Sequence, residues 1–304
     1  MIPAFPQFKK IDVSDRADVE GFTHRHPPYS DFNFTSLWAW DTAGERMIST
    51  LNGNLVVQFT DYTTHDPFMS FLGFQETETT ARTLIDYARA AGLPEVPKLL
   101  PKISVNDLRA SAFQIEEDRD NFDYIYSVPE LSALCGSQLK DLRRNVRRFR
   151  RTHPNIRVEA IDLQDKGIHR QIVSMVEVWE QHKKHKSKPH EGAHEAHAIQ
   201  RLLETAQEHT LTASALFQDH AMIGFSIEEL LPDRYCMGHF WKADCTHTGA
   251  YDILVHEVAQ HLETRNVAFW NVEQDLGIPA LRYSKAKYGT AHFLEKYTVS
   301  LRDS

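Results

Sequence analysis

The sequence predicts an α+β fold built as two tandem copies of one plan, with mixed sheets flanked by helices, and three observations support this. Two hairpin signals lie far apart, each is followed by strand, helix, strand, helix and strand, and corresponding elements are offset by about 165 to 180 residues, the spacing of a duplication. The copies share the order of elements, with negligible residue identity. The 304 residues, 41% hydrophobic and 25% charged, suffice for about two domains with buried cores and exclude a mostly disordered chain.

The aromatic run from Tyr29 to Trp40 comes first and reads as buried anchoring structure. In the first copy, runs at 47–51 and 55–59 flank Asn52-Gly53-Asn54, and Asn-Gly between β-prone runs is a strong hairpin signal. A strand at 67–72 follows. The helix at 78–91 carries Ala81, Leu84, Ile85 and Ala88 on one face and stops at Gly92. A short strand at 99–103, a helical turn at 105–112 and β-prone runs through Phe113 and 124–128 complete the copy. A basic helix at 131–151 then links the copies, with Leu139, Leu142, Val146 and Phe149 on one stripe and Pro154 beyond its end. A second linking helix, 168–182, aligns Ile172, Met175, Val176 and Trp179 before a polar, mobile loop at 183–189. In the second copy a hairpin at 211–217 and 222–230 precedes a strand at 234–242, a helix at 250–263, a strand at 267–272, a helix at 280–288 and one closing strand at 293–301. The expected domains are residues 1–130 and residues 131–304, the latter including the basic helix.

Charge and cysteine content exclude several functional classes. The net charge is −8, yet the segment from Lys140 to Arg151 holds seven basic residues and one acid, which leaves the rest of the chain at −14. Positive charge is therefore localised on one helix, which could grip RNA phosphates, an anionic head group or a cofactor phosphate. No apolar run approaches the ~20 residues of a membrane span, and the first residues lack a secretory leader. Cys135, Cys236 and Cys245 are an odd set without a C-x-x-C, which argues against a disulfide framework or a thiolate zinc site and for the reducing cytoplasm. His190, His194 and His197 would share a helical face, but their spacing matches no metal signature, so no metal is expected.

The densest chemical candidate runs from Trp270 to Gly277 and on to Gly289. A strand spends its hydrophobic residues, places Glu273 and Asp275 at its end, turns at Gly277 and enters a helix carrying Arg282, Lys285 and Lys287. If strand geometry persists, Glu273 and Asp275 point the same way and can share general-base work, while the basic residues neutralise a phosphate or hold the carboxylates. The alternative is a helix-start acid pair with a solvated basic face. The turn from Lys242 to Asp252, with Gly249, Ala250 and Tyr251 at the helix start, offers backbone donors to an anion or oxyanion; the alternative reading makes Thr248 or Asp252 there no more than helix caps. Cys245 reads as a packing residue rather than a nucleophile.

These segments carry a resemblance. N-V-E-Q-D-L-G-I-P-A-L-R-Y-S-K-A-K-Y from Asn271 to Tyr288, G-A-Y from Gly249, L-K-D-L-R-R-N-V-R-R-F from Leu139 and D-F-N-F-x-S-L-W-x-W from Asp31 resemble the phosphatidylglycerol lysyltransferase C-terminal domain family over nearly the whole chain. The resemblance implies two tandem acyl-CoA N-acyltransferase (GNAT)-like domains, as in the Fem peptidyltransferases that move amino acids from aminoacyl-tRNA to cell-wall precursors. Relatives that use acyl-CoA hold its pyrophosphate with a Gln/Arg-x-x-Gly-x-Gly/Ala loop, of which only Gly249 stands here, so CoA is disfavoured. The chain carries none of the membrane helices that precede the domain in lipid-modifying members, so a lipid acceptor is not implied. The expectation is a soluble acyl or aminoacyl transferase without a certain cofactor, taking aminoacyl-tRNA as donor and an amine or hydroxyl acceptor held between the halves. Glu273 or Asp275 would deprotonate or orient the acceptor, Tyr251 and the turn at Gly249 and Ala250 would hold the oxyanion, and Arg143, Arg144 and Arg147 would hold donor phosphates. Lys242, Asn271, Arg282 and Lys285 complete the binding set. The expected partner is tRNA on helix 140–151, with peripheral membrane contact open. The alternatives are a non-catalytic anion- or RNA-binding module on the same scaffold and an acyl-CoA-dependent N-acyltransferase.

Overall fold

The computed structural model describes residues 1–61, 66–184 and 190–302. Along the chain run β1 (Lys9–Lys10), α1 (Arg16–Thr23), α2 (Phe34–Ala39), β2 (Met47–Leu51), β3 (Asn54–Thr60), β4 (Pro67–Leu72), α3 (Thr77–Ala91), β5 (Leu100–Pro101), α4 (Lys102–Val105), β6 (Phe113–Glu117) and β7 (Asp123–Ser127). Then follow α5 (Val128–Ala133), α6 (Lys140–Thr152), β8 (Ile156–Ala160), α7 (Lys166–Lys184) and α8 (His190–Glu204). The rest comprises β9 (Leu211–Gln218), β10 (Ala221–Leu230), β11 (Tyr235–Ala243), α9 (Ala250–Thr264), β12 (Phe269–Asn271), α10 (Pro279–Ala286), β13 (Thr290–Leu294) and β14 (Lys296–Leu301). The fold is mixed α+β, and the run β2 to β6 has the same order of strands and helices as the run β9 to β13. That is the repeated order of elements the sequence predicts.

Two compact units result, one of Met1–Asp123, Gln274–Ile278 and Phe293–Ser304, the other of Tyr124–Glu273 and Pro279–His292. In the first unit, one sheet has the order β1-β2-β3-β4 and a second has β5-β14-β6. Its hairpin turns at Asn52 and Gly53, both with positive φ, the backbone that Asn-Gly adopts most readily between antiparallel strands. Helix α3 ends where Gly92 takes φ +66° and its N–H caps the Ala88 and Arg89 carbonyls. The predicted face of α3, Ala81, Leu84, Ile85 and Ala88, packs with Val56, Met69, Phe71, Leu100, Phe113 and Val299 as the core.

In the second unit a mixed sheet has the order β13-β7-β12-β11-β10-β9-β8. Helices α5 and α6 both pack on α9. The stripe Leu139, Leu142, Val146 and Phe149 is buried as its spacing predicts.

Three expectations need correction, and one strand was unforeseen. The linking helix 131–151 is two helices, because Leu134 takes a left-handed backbone that ends α5 and Gly136 follows with φ +90° before α6 begins. Between Leu99 and Ala112 the helical turn comes early, at Lys102–Val105, and the strand before it shrinks to two residues. Strand β8, beyond Pro154, has only one full side apolar and escaped the reading; it pairs with β9 along the edge of the sheet. The single closing strand is two strands, β13 beside β7 and β14 between β5 and β6, with the change of sheet at Glu295. The polar loop expected at 183–189 begins inside α7 and otherwise lies outside the described residues.

Candidate active site

In the sheet of the second unit, one strand stops short of its parallel neighbour. Strands β11 and β12 are parallel and pair at Tyr235 with Phe269, Cys236 with Trp270 and Met237 with Asn271. There β12 ends, while β11 continues to Ala243 paired with β10. The chain leaves β12 sharply: Glu273 takes φ +60° and its N–H donates to Asn271 Oδ1 at 2.8 Å. The expected strand geometry therefore does not persist, and Glu273 and Asp275 are not aligned by strand alternation.

Glu273 stands at the end of a chain of three titratable side chains. Opposite β10, the register slips between Ile227 with Phe240 and Glu228 with Gly238, so His239 is an extra residue in β11. Such a bulge re-aims a side chain out of the regular alternation. His239 Nε2 lies 3.3 Å from Glu229 Oε2 on β10, and its Nδ1 lies 3.9 Å from Glu273 Oε1. The side chains of Glu229 and His239 are each 1% exposed, whereas that of Glu273 is 19% exposed, so the chain leads from the interior to solvent.

A buried cation flanks the carboxylate. Lys242 on β11 pairs with Glu195 on α8 at 2.5 Å and stacks over the Trp179 ring of α7 at 4.3 Å. Burial alone would lower its pKa, but Glu195 first, then Tyr251 and Glu273, outweigh burial and hold it above the ordinary lysine value. Burial pushes the Tyr251 phenol up, and Lys242 partly offsets this. Tyr251, Lys242 and Glu273 thus form one electrostatic group, which His239, Glu229, Glu195 and Trp179 adjoin.

Other predicted residues hold the frame. Asp275 belongs to the first unit and is fully buried, accepting from the Gly277 N–H at 2.9 Å and lying 3.5 Å from Arg119 Nη1. Asn271 is buried and shapes the turn before Glu273. Lys285 Nζ donates to the Val272 carbonyl, and its own carbonyl accepts from Tyr126 Oη at 2.7 Å, so it ties α10 to the strand end. Lys287 pairs with Asp252, which also accepts from Asn145 and Tyr288. Arg282 lies half-buried on α10. At the start of α9, Gly249 takes φ +104° and a Cβ there would meet the Phe149 ring at 3.2 Å, while the buried Ala250 donates its N–H to the His247 carbonyl. The turn is packed against α6 at these points.

On α6 the arginines divide. Arg143 is committed to the Leu134 and Gly136 carbonyls, closing the end of α5. Arg144 pairs with Asp141, and Arg150 with Glu257. Lys140, Arg147, Arg148 and Arg151 are exposed and make no ion pair among the described residues. Among those residues no group of His, Cys, Asp or Glu could hold a metal, and no helix is long and apolar enough to cross a membrane. Cys245 is exposed, not the packing residue expected.

The sequence reading missed His239 and Glu229. Two signals were present: Gly238 inside a strand pattern marks a bulge, and Glu228-Glu229 interrupts an otherwise apolar strand.

No curated protein matches the chain. Among solved structures, a conserved protein of unknown function from Bacteroides thetaiotaomicron VPI-5482 is 24% identical, with 99% of this chain and 100% of that chain covered and a TM-score of 0.85. L-PGS from Bacillus licheniformis is 13% identical, with 97% and 94% covered and a TM-score of 0.62. These likenesses establish a shared fold. The family itself is established by the sequence: from residue 25 to residue 300 it matches the model of the phosphatidylglycerol lysyltransferase C-terminal family, and the chain belongs to that family.

Proposed function

We propose that the protein transfers an aminoacyl group from aminoacyl-tRNA to a hydroxyl or amine acceptor by direct attack, with Glu273 as the base. Family membership supports an acyltransferase-type reaction. The observation that carries the reading is the graded chain Glu229, His239, Glu273, which reaches solvent just beyond the end of β12. A half-buried carboxylate lies 3.9 Å from an imidazole whose other nitrogen is 3.3 Å from an enclosed carboxylate, so a base, a titratable ring and a buried acid stand in one row.

The acceptor loses its proton to Glu273 and forms a bond to the ester carbonyl carbon. The tetrahedral oxyanion develops near the Lys242 cation and the Tyr251 hydroxyl. The bond to the ribose oxygen of tRNA then breaks, and that oxygen takes the proton from Glu273. An activated ester supplies the driving force, so no covalent enzyme intermediate is required. Asp275, enclosed and engaged in the turn at Gly277, is a framework residue in this reading. Donor phosphates are assigned to Arg144, Arg147 and Arg148 on the exposed face of α6.

That same face favours a second reading, an RNA-binding module without turnover, and one experiment separates the two. Labelled lysyl-tRNA, a mixture of other aminoacyl-tRNAs and labelled acetyl-CoA are each supplied with phosphatidylglycerol vesicles or free amines. Transfer from a tRNA donor and none from acetyl-CoA is expected. In Arg147→Ala/Arg148→Ala the log-log salt slope of tRNA binding should fall by about two. Transfer from acetyl-CoA alone rejects the donor, and tRNA binding without transfer supports the module.

A further inference from the structure

Glu195 on α8 has no role in the proposed reaction, yet it touches the cation that receives the oxyanion there. Its Oε1 lies 2.5 Å from Lys242 Nζ, while the Trp179 ring of α7 lies 4.3 Å from the same nitrogen and holds it by cation–π attraction. The side chain of Lys242 is 9% exposed and that of Glu195 18% exposed, so the carboxylate is the member of the pair that solvent reaches more freely. Glu195 Oε1 is spent on Lys242, and Oε2 makes no hydrogen bond or ion pair among the described residues. Trp179, Glu195, Lys242 and Glu273 all belong to the second unit.

This pairing works against a simple acyl donor. A carboxylate in contact with a cation cancels most of its field at short range, so Lys242 paired with Glu195 stabilises an oxyanion less than Lys242 alone would. An aminoacyl ester differs, because its α-ammonium sits on the carbon next to the carbonyl. When the carbonyl oxygen meets Lys242 Nζ, the α-ammonium lies within a few ångströms of that nitrogen, the range at which the ion pair already places a carboxylate. Two cations so close repel unless an anion stands between them.

We propose that Glu195 is a specificity-determining residue that binds the α-ammonium of the aminoacyl donor through Oε2, so that the site takes free aminoacyl esters and disfavours acyl groups without that charge. The inference rests on the aminoacyl-transfer reading above. Oxyanion, Lys242, Glu195 and α-ammonium then alternate in sign, and each charge has an opposite neighbour. Glu195 shares its charge between two cations, and Lys242 regains its pull on the oxyanion. An acetyl or α-hydroxyacyl group leaves Glu195 to Lys242 alone. The side-chain ammonium of a lysyl group lies several methylenes further from the carbonyl and is not the group this contact selects.

The unmodified full chain is supplied with labelled lysyl-tRNA and mixed aminoacyl-tRNAs, and in parallel with their α-hydroxyacyl counterparts, in which a hydroxyl of similar size replaces the α-ammonium. The aminoacyl donors should exceed the hydroxyacyl donors by about 10- to 100-fold in kcat/KM, the effect of one charge-assisted hydrogen bond. In Glu195→Gln that ratio should fall toward one, with the loss confined to the aminoacyl donors, and Glu195→Asp should restore part of it. A purely structural tie between α8 and β11 would slow both donor classes equally, and an unchanged ratio in Glu195→Gln would overturn the inference. Equal use of the two classes by the unmodified protein would overturn it without any variant, leaving aminoacyl transfer itself standing. No transfer from any tRNA donor would reject that reaction and this inference together.

Discussion

Each unit buries a cluster of charged side chains, and the two clusters differ in where they end. In the first unit Lys296, at the start of β14, is fully buried against Asp31 and Asp123, with its Nζ 2.7 Å from Asp123 Oδ1. Ser30 donates its backbone N–H and hydroxyl to Asp123, and Gln274 donates to Asp31 Oδ1. Burial would lower the lysine pKa, but Asp123 and Asp31 hold it above its ordinary value. This cluster is closed on every side. In the second unit the chain from Glu229 through His239 reaches solvent at Glu273. Enclosed charges with matched partners build a frame, whereas a charge chain with one half-exposed end can exchange a proton with a ligand. That contrast sets an enclosed cluster against one that reaches solvent, in a molecule where both use the same residue types.

The contrast can be broken from either side. The largest effect is expected from Lys296→Met, which leaves two carboxylates buried without their cation and should cost about 3–5 kcal/mol in urea unfolding. A loss under 1 kcal/mol would show that the cluster is not a frame. Next comes Glu228, whose acid pKa is raised in the folded state from 4.5 to about 8. Its contribution to stability is fully present below the unfolded value and is lost as pH rises through the folded one. Glu228→Gln should therefore be more stable than the parent above pH ~8 by roughly 2–4 kcal/mol, with the difference shrinking toward pH ~5. Parallel pH dependences for the two proteins would reject a buried neutral acid. Smallest is His239→Gln, expected to lower kcat by about 10- to 100-fold, roughly 1–3 kcal/mol, with little change in KM and a displaced pH–rate profile. A parallel loss of folding stability would move His239 into the frame class.

Much of the frame was legible in sequence, for physical reasons that also mark the limit. The β2–β3 hairpin, α3 with its Gly92 stop and the stripe of α6 are local patterns, visible in one strand or one helix. The strand change at Glu295 was not legible because Lys296 reads as a solvent-facing residue until Asp31 and Asp123 are brought to it from distant segments. The site divides likewise. Glu273, Lys242 and Tyr251 stood out as polar residues at strand and helix ends, whereas Glu229 and His239 required the β10–β11 register and its bulge. Asp275 looked equivalent to Glu273 in sequence, and the positive φ at Glu273 and Leu276 removed that equivalence.

The most direct measurement is single-turnover transfer from aminoacyl-tRNA by Glu273→Gln, which keeps the size of the side chain and removes its basicity. Transfer should slow by about 10²- to 10⁴-fold, with tRNA affinity and the unfolding midpoint unchanged. Transfer at the parent rate would contradict the assignment of Glu273 as the proton acceptor.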